Sequence, residues 1–412
     1  MATELFDVVS PETALERLLE AGLPKPRAET LSLAAAAGRV SARPVRAPEA
    51  SPSFDRSLMD GFAVRAPDTF GATESLPAAL AVIGEVPMGA PPTTGIAPGE
   101  AMVIHTGGML PPGSDAVVMV EHTEWIDDRM IEVMRPVAAR DAVIRRGDDV
   151  AEGAVVIPQG ARLRSQDLGG LAALGVTHVA VVQAPIVGLI ATGDEVVPPH
   201  QTPEPGEVRD VNSTTLTVEV ERAGGVARTY GIVPDARSTL ATAARDALRD
   251  CEIVVISAGS SVSARDHTAD VIGSLGSPGV LAHGLALKPG KPSIVGLADG
   301  RPIFGLPGNP VSALVVFDLL VAPTIRRLQG APADSSASPL RARLARNVAS
   351  TAGRLDFIPA RLTERDDETW AEPIFGASNL IFTLVRADAL VRIPADANGL
   401  QAGAFVDIRP LA

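Results

Sequence analysis

The segment Arg301-Pro302-Ile303-Phe304-Gly305-Leu306-Pro307-Gly308-Asn309-Pro310-Val311-Ser312 decides how the centre of this chain folds. A short apolar run, Arg301–Gly305, reads as a buried strand that breaks at glycine and proline. Asn309 then offers an N-cap, Pro310 suits the first helical turn, and a helix over about 310–328 follows. Working outward, the same alternation fills residues 184–330. A strand at Pro185–Ala191 precedes a helix near 212–223, and a strand at Val226–Val233 precedes a helix near 235–249. A strand at Glu252–Ser257 precedes a helix near 266–275. Uniformly apolar short strands alternating with amphipathic helices predict a parallel sheet covered on both faces. Ligands of such sheets bind beyond the carboxyl ends of the strands. Three loops should therefore converge on one edge: Thr192-Gly193-Asp194-Glu195, Ser257-Ala258-Gly259-Ser260-Ser261 and Gly305–Ser312.

The flanks read differently. Ser10-Pro11-Glu12 is an N-cap followed by proline, with Ala14, Leu15, Leu18, Leu19 and Leu23 at helical spacing, and a second short helix is expected around 27–38. From about residue 40 to 145, β-prone runs (Ala78–Ile83, Ala101–His105, Ala116–Glu121, Met130–Val133) alternate with Gly/Pro turns, which predicts a small β-rich domain. Within it, Asp60-Gly61 carries a hairpin-turn signal, and His105-Thr106-Gly107-Gly108 reads as a glycine-bearing loop. Residues 330–338 have the composition of a linker, and the chain beyond them returns to short strands.

At 412 residues, with 46% apolar and 21% charged side chains, the chain has the composition of a soluble globular protein of several domains. Its net charge of −13 repels a phosphate backbone, so nucleic-acid binding is excluded as a general activity. The single cysteine, Cys251, excludes a disulfide framework and a cysteine-ligated zinc or iron–sulfur site. The histidines, His105, His122, His178, His200, His267 and His283, show no paired ligand spacing. An acidic start without a basic-then-apolar pattern, and the want of a long apolar run, give the expectation of a cytoplasmic protein with no membrane contact.

Anionic ligands on so acidic a protein need a few well-placed cations. Only three of the 36 basic residues are lysines, and two of them, Lys288 and Lys291, stand in the stretch Lys288-Pro289-Gly290-Lys291-Pro292. A site that keeps lysine in an arginine-rich chain calls for a compact ammonium. The prolines stiffen that loop. The helix entrance at Asn309–Ser312 is either a plain cap or an anion site, and two lysines upstream favour the latter. Asp194 and Glu195 could hold a hard cation bridging to phosphate, or form an acidic turn; Asp235 and Asp266 could be metal ligands or helix caps.

Taken together, Phe54-Asp55-Arg56-Ser57 through Met59-Asp60-Gly61-Phe62-Ala63-Val64, Thr106-Gly107, Gly147-Asp148-Asp149, Thr192–Glu195, Lys288–Pro292 and Gly305–Ser312 resemble the molybdopterin molybdotransferase family, the MoeA and gephyrin E-domain group. The motifs stand in family order over about residues 10–405. The resemblance implies a multidomain α/β plus β fold. A linking domain comprises 1–40 and 145–182, with a β-rich domain inserted at 41–144, a parallel-sheet molybdopterin-binding α/β domain at 183–330 and a C-terminal β domain at 337–412. It implies a homodimer that inserts molybdate into adenylylated molybdopterin with release of AMP, giving molybdenum cofactor, in contact with other proteins of that biosynthesis. A molybdopterin-binding scaffold without turnover and a related adenylyltransferase are the alternatives.

By the same resemblance, Lys291, Ser312, Arg354 and Ser378 cradle molybdate, two cations and two hydroxyls being a sound complement to a dianion. Catalytic roles fall to Asp60, Thr106, Glu195, Lys288 and Lys291, the first two entering the partner subunit's site. Pro292, Ser257, Gly259, Ser261, Gly308 and Asn309 join the substrate-binding set, and Glu195, Asp235 and Asp266 would hold Mg²⁺ by the pyrophosphate. Ala258 and Ser263 stand where the family usually has glycine.

Overall fold

The computed structural model describes residues 8–258, 262–330 and 340–411, the side chains of 262–266 excepted. The chain divides into two compact units, one of residues 30–37 and 43–180, the other of 1–29, 38–42 and 181–412.

The smaller unit is built on a six-stranded sheet in the order 116–119, 61–64, 100–104, 78–85, 130–133, 123–127. Successive side chains of a strand point to opposite faces, and Gly61–Val64 is buried on both. Phe62 and Val64 pack with Leu80, Val118 and Ile131, whereas Ala63 packs with Met102, Ile104 and Val117. Asp60-Gly61 does turn the chain, but not into a hairpin: Arg56–Ser57 pairs with Val143–Ile144, and Gly61–Val64 with its two sheet neighbours. The second helix expected around 27–38 is not formed. Ala28–Ser32 is a strand, and Ala34–Ala36 makes only a single 3₁₀ turn before Gly38, since so short an alanine run cannot sustain a helix.

In the larger unit, Ser10 caps the helix Pro11–Glu20, accepting the Thr13 N–H at 3.0 Å, and Ala14 and Leu18 bury into the core. The α/β elements run in chain order as β1 (Ile186–Thr192), α1 (Asn212–Arg222), β2 (Val226–Val233), α2 (Arg237–Asp250), β3 (Ile253–Ala258) and α3 (Val262–Ser274). They continue as β4 (Pro278–His283), β5 (Leu287–Lys288), β6 (Ile294–Ala298), β7 (Arg301–Pro307) and α4 (Pro310–Val316), which passes through a π-type turn at Phe317–Val321 into α5 (Ala322–Leu328). The central sheet has the order β2-β1-β3-β7-β6-β4. Strands β2, β1, β3 and β7 are parallel as expected, whereas β6 runs antiparallel to both β7 and β4. The four strands expected from sequence thus form the parallel part of the sheet, and two strands not expected, β6 and β4, make it mixed at one edge. Residues 278–298 are rich in glycine and proline, which hides two strands in sequence.

Both faces of this sheet are covered. Val187, Leu189, Val255, Phe304 and Leu306 pack on α1, α4 and α5, while Ile190, Val254, Ile256 and Ile303 pack on α2 and α3. Beyond α5, the strands β8 (Leu340–Leu344), β9 (Leu355–Arg365), β10 (Glu368–Pro373), β11 (Ala389–Ile393) and β12 (Phe405–Pro410) close on themselves. The pairings β9–β10, β10–β8, β8–β12, β12–β11 and β11–β9 form a five-stranded barrel around Leu344, Ala360, Val391, Ile393 and Ile408. Leu355, Phe357 and Leu390 also join the core beneath α4 and α5, so the barrel and the α/β sheet share packing.

Candidate active site

Strand β5 carries the lysine loop to the barrel. It pairs in parallel with the start of β9, Leu287 opposite Leu355 and Lys288 opposite Asp356. That pairing brings the two halves of the site together. Gly290, at the loop tip, has φ +121, and a Cβ there would stand 2.6 Å from Val316 Cγ2 and 2.9 Å from Leu287 Cδ2. Only glycine fits that turn. The buried Ser293 hydroxyl donates to the Gly290 carbonyl at 2.7 Å, closing the loop from below.

A cavity of about 560 Å³ opens at this junction. Lys288, Lys291 and Pro292 line it from the loop, Asn309 and Ser312 from the entrance of α4, and Arg354 and Ser378 from the C-terminal region. The residues expected to cradle an oxyanion are thus brought together from four separate stretches of chain. Asn309 occupies the N-cap position, but its side chain does not cap the helix; its Nδ2 donates to Ser378 Oγ at 3.1 Å, and Val311 N–H donates to the Ser378 carbonyl. These bonds pin the Gly376–Ser378 loop to the helix entrance. Ser312 is buried and Lys291 is exposed, its ammonium making no hydrogen bond or ion pair among the described residues.

Asp356, to which sequence reasoning gave no role, is the one acid lining the cavity among the described residues. Its side chain is only 3% exposed. Arg354 Nε donates to Oδ1 at 2.9 Å, Ser350 Oγ donates to Oδ2 at 2.7 Å, and Lys288 Nζ lies 4.0 Å from Oδ2. Arg354 stands two residues before Asp356, in the bend that leads into β9, so this ion pair joins near neighbours in sequence.

The remaining predicted residues fall into three groups. Ser257, Gly308 and the buried Asn212 meet where β3 and β7 end: Asn212 Nδ2 lies 2.7 Å from Ser257 Oγ and 2.8 Å from the Gly308 carbonyl. Asn212 was read only as part of a helix, and it ties two of the three expected loops together. Ala258 ends β3 in register with Pro307, in backbone that needs no glycine. Gly259 and Ser261 lie outside the described residues.

Two strand positions from β7, about 10 Å across the sheet, the end of β1 meets the end of β2. Thr192 Oγ1 donates to Asp235 Oδ1 at 3.1 Å, and Asp235 N–H donates to Asp194 Oδ1 at 3.0 Å. Asp235 is therefore not the cap of α2, whose N-cap is Ala236. Glu195 folds back over Gly193, where a Cβ would meet its Oε2 at 2.9 Å. Asp266 lies within α3 rather than at its start, and its side chain is outside those described. Among the described residues no three His, Cys, Asp or Glu side chains gather as a metal set.

Asp60 and Thr106 belong to the smaller unit, where they are partners. Asp60 Oδ1 accepts the Thr106 N–H at 2.7 Å and its hydroxyl at 3.1 Å, and His105 Nδ1 stands 3.7 Å away. The Thr106 backbone and hydroxyl bonds, with a smaller contribution from His105, hold the Asp60 carboxyl below the ordinary carboxylate range. At Gly61 a Cβ would stand 2.0 Å from the Val118 carbonyl oxygen, so glycine is obligatory beside this acid.

The chain matches, in order, the family models for the MoeA N-terminal region (domain I and II) over residues 9–175, a probable molybdopterin binding domain over 188–327 and the MoeA C-terminal region (domain IV) over 341–411. It is 33% identical to a molybdopterin molybdenumtransferase of Haemophilus influenzae, over 97% of this chain and 98% of that protein. The chain belongs to the MoeA family. A second MoeA relative, molybdopterin molybdenumtransferase 2 of Mycobacterium tuberculosis, is 35% identical over 92% of this chain and 94% of its own length. The MoeA fold extends throughout: a crystal structure of the molybdopterin biosynthesis MoeA protein from Pyrococcus horikoshii OT3 superposes with a TM-score of 0.84 at 32% identity, covering 98% of this chain and 99% of that one. Among the described residues no helix is long and apolar enough to cross a membrane.

Proposed function

We propose that this chain is a molybdopterin molybdenumtransferase that inserts molybdate into adenylylated molybdopterin and releases AMP. The observation that carries the reading is the convergence of Lys288, Lys291, Ser312, Arg354 and Ser378 on one cavity beside the ends of β3 and β7. On a protein of net charge −13, three cations around one cavity make a local well for a dianion. The compact ammonium of Lys291 and the Arg354 fork stabilise charge on the oxo groups as the substrate's two thiols bind molybdenum and one oxo group, taking their two protons, leaves as water, with Ser312 and Ser378 available as hydroxyl donors. The protein's contribution is mostly positioning, the sulfur ligands being the substrate's own.

The Asn212–Ser257–Gly308 junction would seat the pterin end, and the β1–β2 end the pyrophosphate. Magnesium usually takes one or two protein carboxylates together with substrate phosphates, and Asp194, Glu195 and Asp235 suit such a shared site, with Asp266 a further candidate. Bound there, Mg²⁺ would neutralise the pyrophosphate and favour departure of AMP. The reading also includes a homodimer whose subunits complement one another through Asp60 and Thr106, and contact with other proteins of molybdenum cofactor biosynthesis.

Purified protein incubated with adenylylated molybdopterin, Mg²⁺ and molybdate tests this. AMP should appear together with a product that activates a molybdenum apoenzyme, both dependent on molybdate. Tight pterin binding with no AMP would replace the enzyme by a scaffold.

A further inference from the structure

The cradle contains a carboxylate where an anion must bind, and its geometry explains why. We propose that Asp356 is a positioning residue for the oxyanion: it holds the Arg354 guanidinium by Nε, so that the terminal N–H groups face bound oxygen. This rests on the molybdate reading above. Arg354 makes no other hydrogen bond among the described residues, so Asp356 alone fixes the plane of its fork. The carboxylate is itself held. Ser350 takes its second oxygen, β9 pairs with β11 at Asp356–Ile393, and β5 brings Lys288 alongside. A long arginine side chain left loose would have to be ordered by each incoming anion, at a cost in side-chain entropy. Anchored, it presents a preset fork.

Asp356 also offsets part of the positive charge. Lys288, Lys291 and Arg354 with Asp356 leave a net of two positive charges around the cavity, the complement of a dianion. The two effects have opposite consequences for Asp356→Asn. That variant keeps the size and one acceptor but loses the charge. A role in charge balance alone would leave the cradle more positive and tighten anion binding. A role in orienting Arg354 should weaken it, because misplaced groups cost roughly tenfold to a hundredfold.

Sodium molybdate is titrated into full-length protein by calorimetry, and adenylylated molybdopterin is titrated separately. We expect Asp356→Asn to raise the molybdate Kd roughly tenfold or more while the pterin Kd stays within about twofold. In an Arg354→Ala background the same change should have little further effect, since the residue it orients is gone. Ser350→Ala, which frees only one carboxylate oxygen, should produce a smaller rise of the same sign, and it carries the test should Asp356→Asn fail to fold. Tighter molybdate binding, equal losses for both ligands, or full additivity with Arg354→Ala would each overturn the proposal. Unchanged molybdate binding in the variants of an active wild-type protein sinks this inference alone. Wild-type protein that binds no molybdate would remove the reading beneath it as well.

Discussion

Lys288 and Asp356 face one another across a parallel strand pair, the ammonium 4.0 Å from the carboxylate. The pair joins a loop of the α/β sheet to a barrel strand, so the cation-bearing wall is continuous with two cores. Such a buried carboxylate, left without its cations, would be strongly destabilising.

Lys291 has no protein partner among the described residues, which leaves its charge for a ligand. Lys291→Ala should raise the molybdate concentration for half-maximal activity by roughly tenfold to a hundredfold, the worth of a charge-assisted hydrogen bond. Pterin binding should change much less. Initial rates over a molybdate series, with pterin saturating, decide the matter, and an unaltered dependence refutes the role.

Gly290→Ala places a methyl group against Val316 and Leu287 in a backbone with φ +121. The loop must then shift, and with it both lysines. We expect a loss of about 1–3 kcal/mol in stability and a larger fall in activity than in pterin affinity. Denaturant unfolding beside steady-state kinetics would separate the two.

Asn212→Ala leaves Ser257 Oγ and the Gly308 carbonyl without the amide that joins them. The unpaired groups cost about 1–3 kcal/mol. Affinity for adenylylated molybdopterin should fall further than affinity for molybdate, as two calorimetric titrations would reveal. Equal losses would mean that the junction serves only the fold.

The Asp60 carboxyl is depressed by Thr106 and, less strongly, by His105. Its charge is therefore retained below the usual carboxylate range and lost only as pH falls through the lowered folded value. Thr106→Val removes the hydroxyl but keeps the N–H, so the Asp60 titration should move upward, towards the ordinary value. Carbonyl-detected NMR would follow it directly. If Asp60 takes part in turnover, the acid limb of the activity profile should move in the same direction.

The sequence was most legible where local rules and burial agree. The Ser10 cap and the β1, β2, β3 and β7 strands carried their signals in short windows. The antiparallel strands β4 and β6 did not, because glycine and proline punctuate them. Cradle residues were named through the resemblance, but their meeting depends on the β5–β9 pairing, a contact between distant segments that no local pattern specifies. Asp356 and Asn212 escaped for the same reason. Each is ordinary in its own window: Asn212 acquires significance from Ser257 and Gly308, and Asp356, although its hydrogen bonds are to nearby Arg354 and Ser350, joins the cradle only when β5 brings Lys288 alongside.

Two of the chain's three ε-amines stand at the cavity mouth, and Lys25 is the third. An amine-directed reagent would therefore find most of its lysine targets at this one place. Shielding of Lys288 and Lys291 by an added oxyanion, read peptide by peptide in a mass spectrometer with Lys25 as internal reference, would report occupancy without any turnover at all.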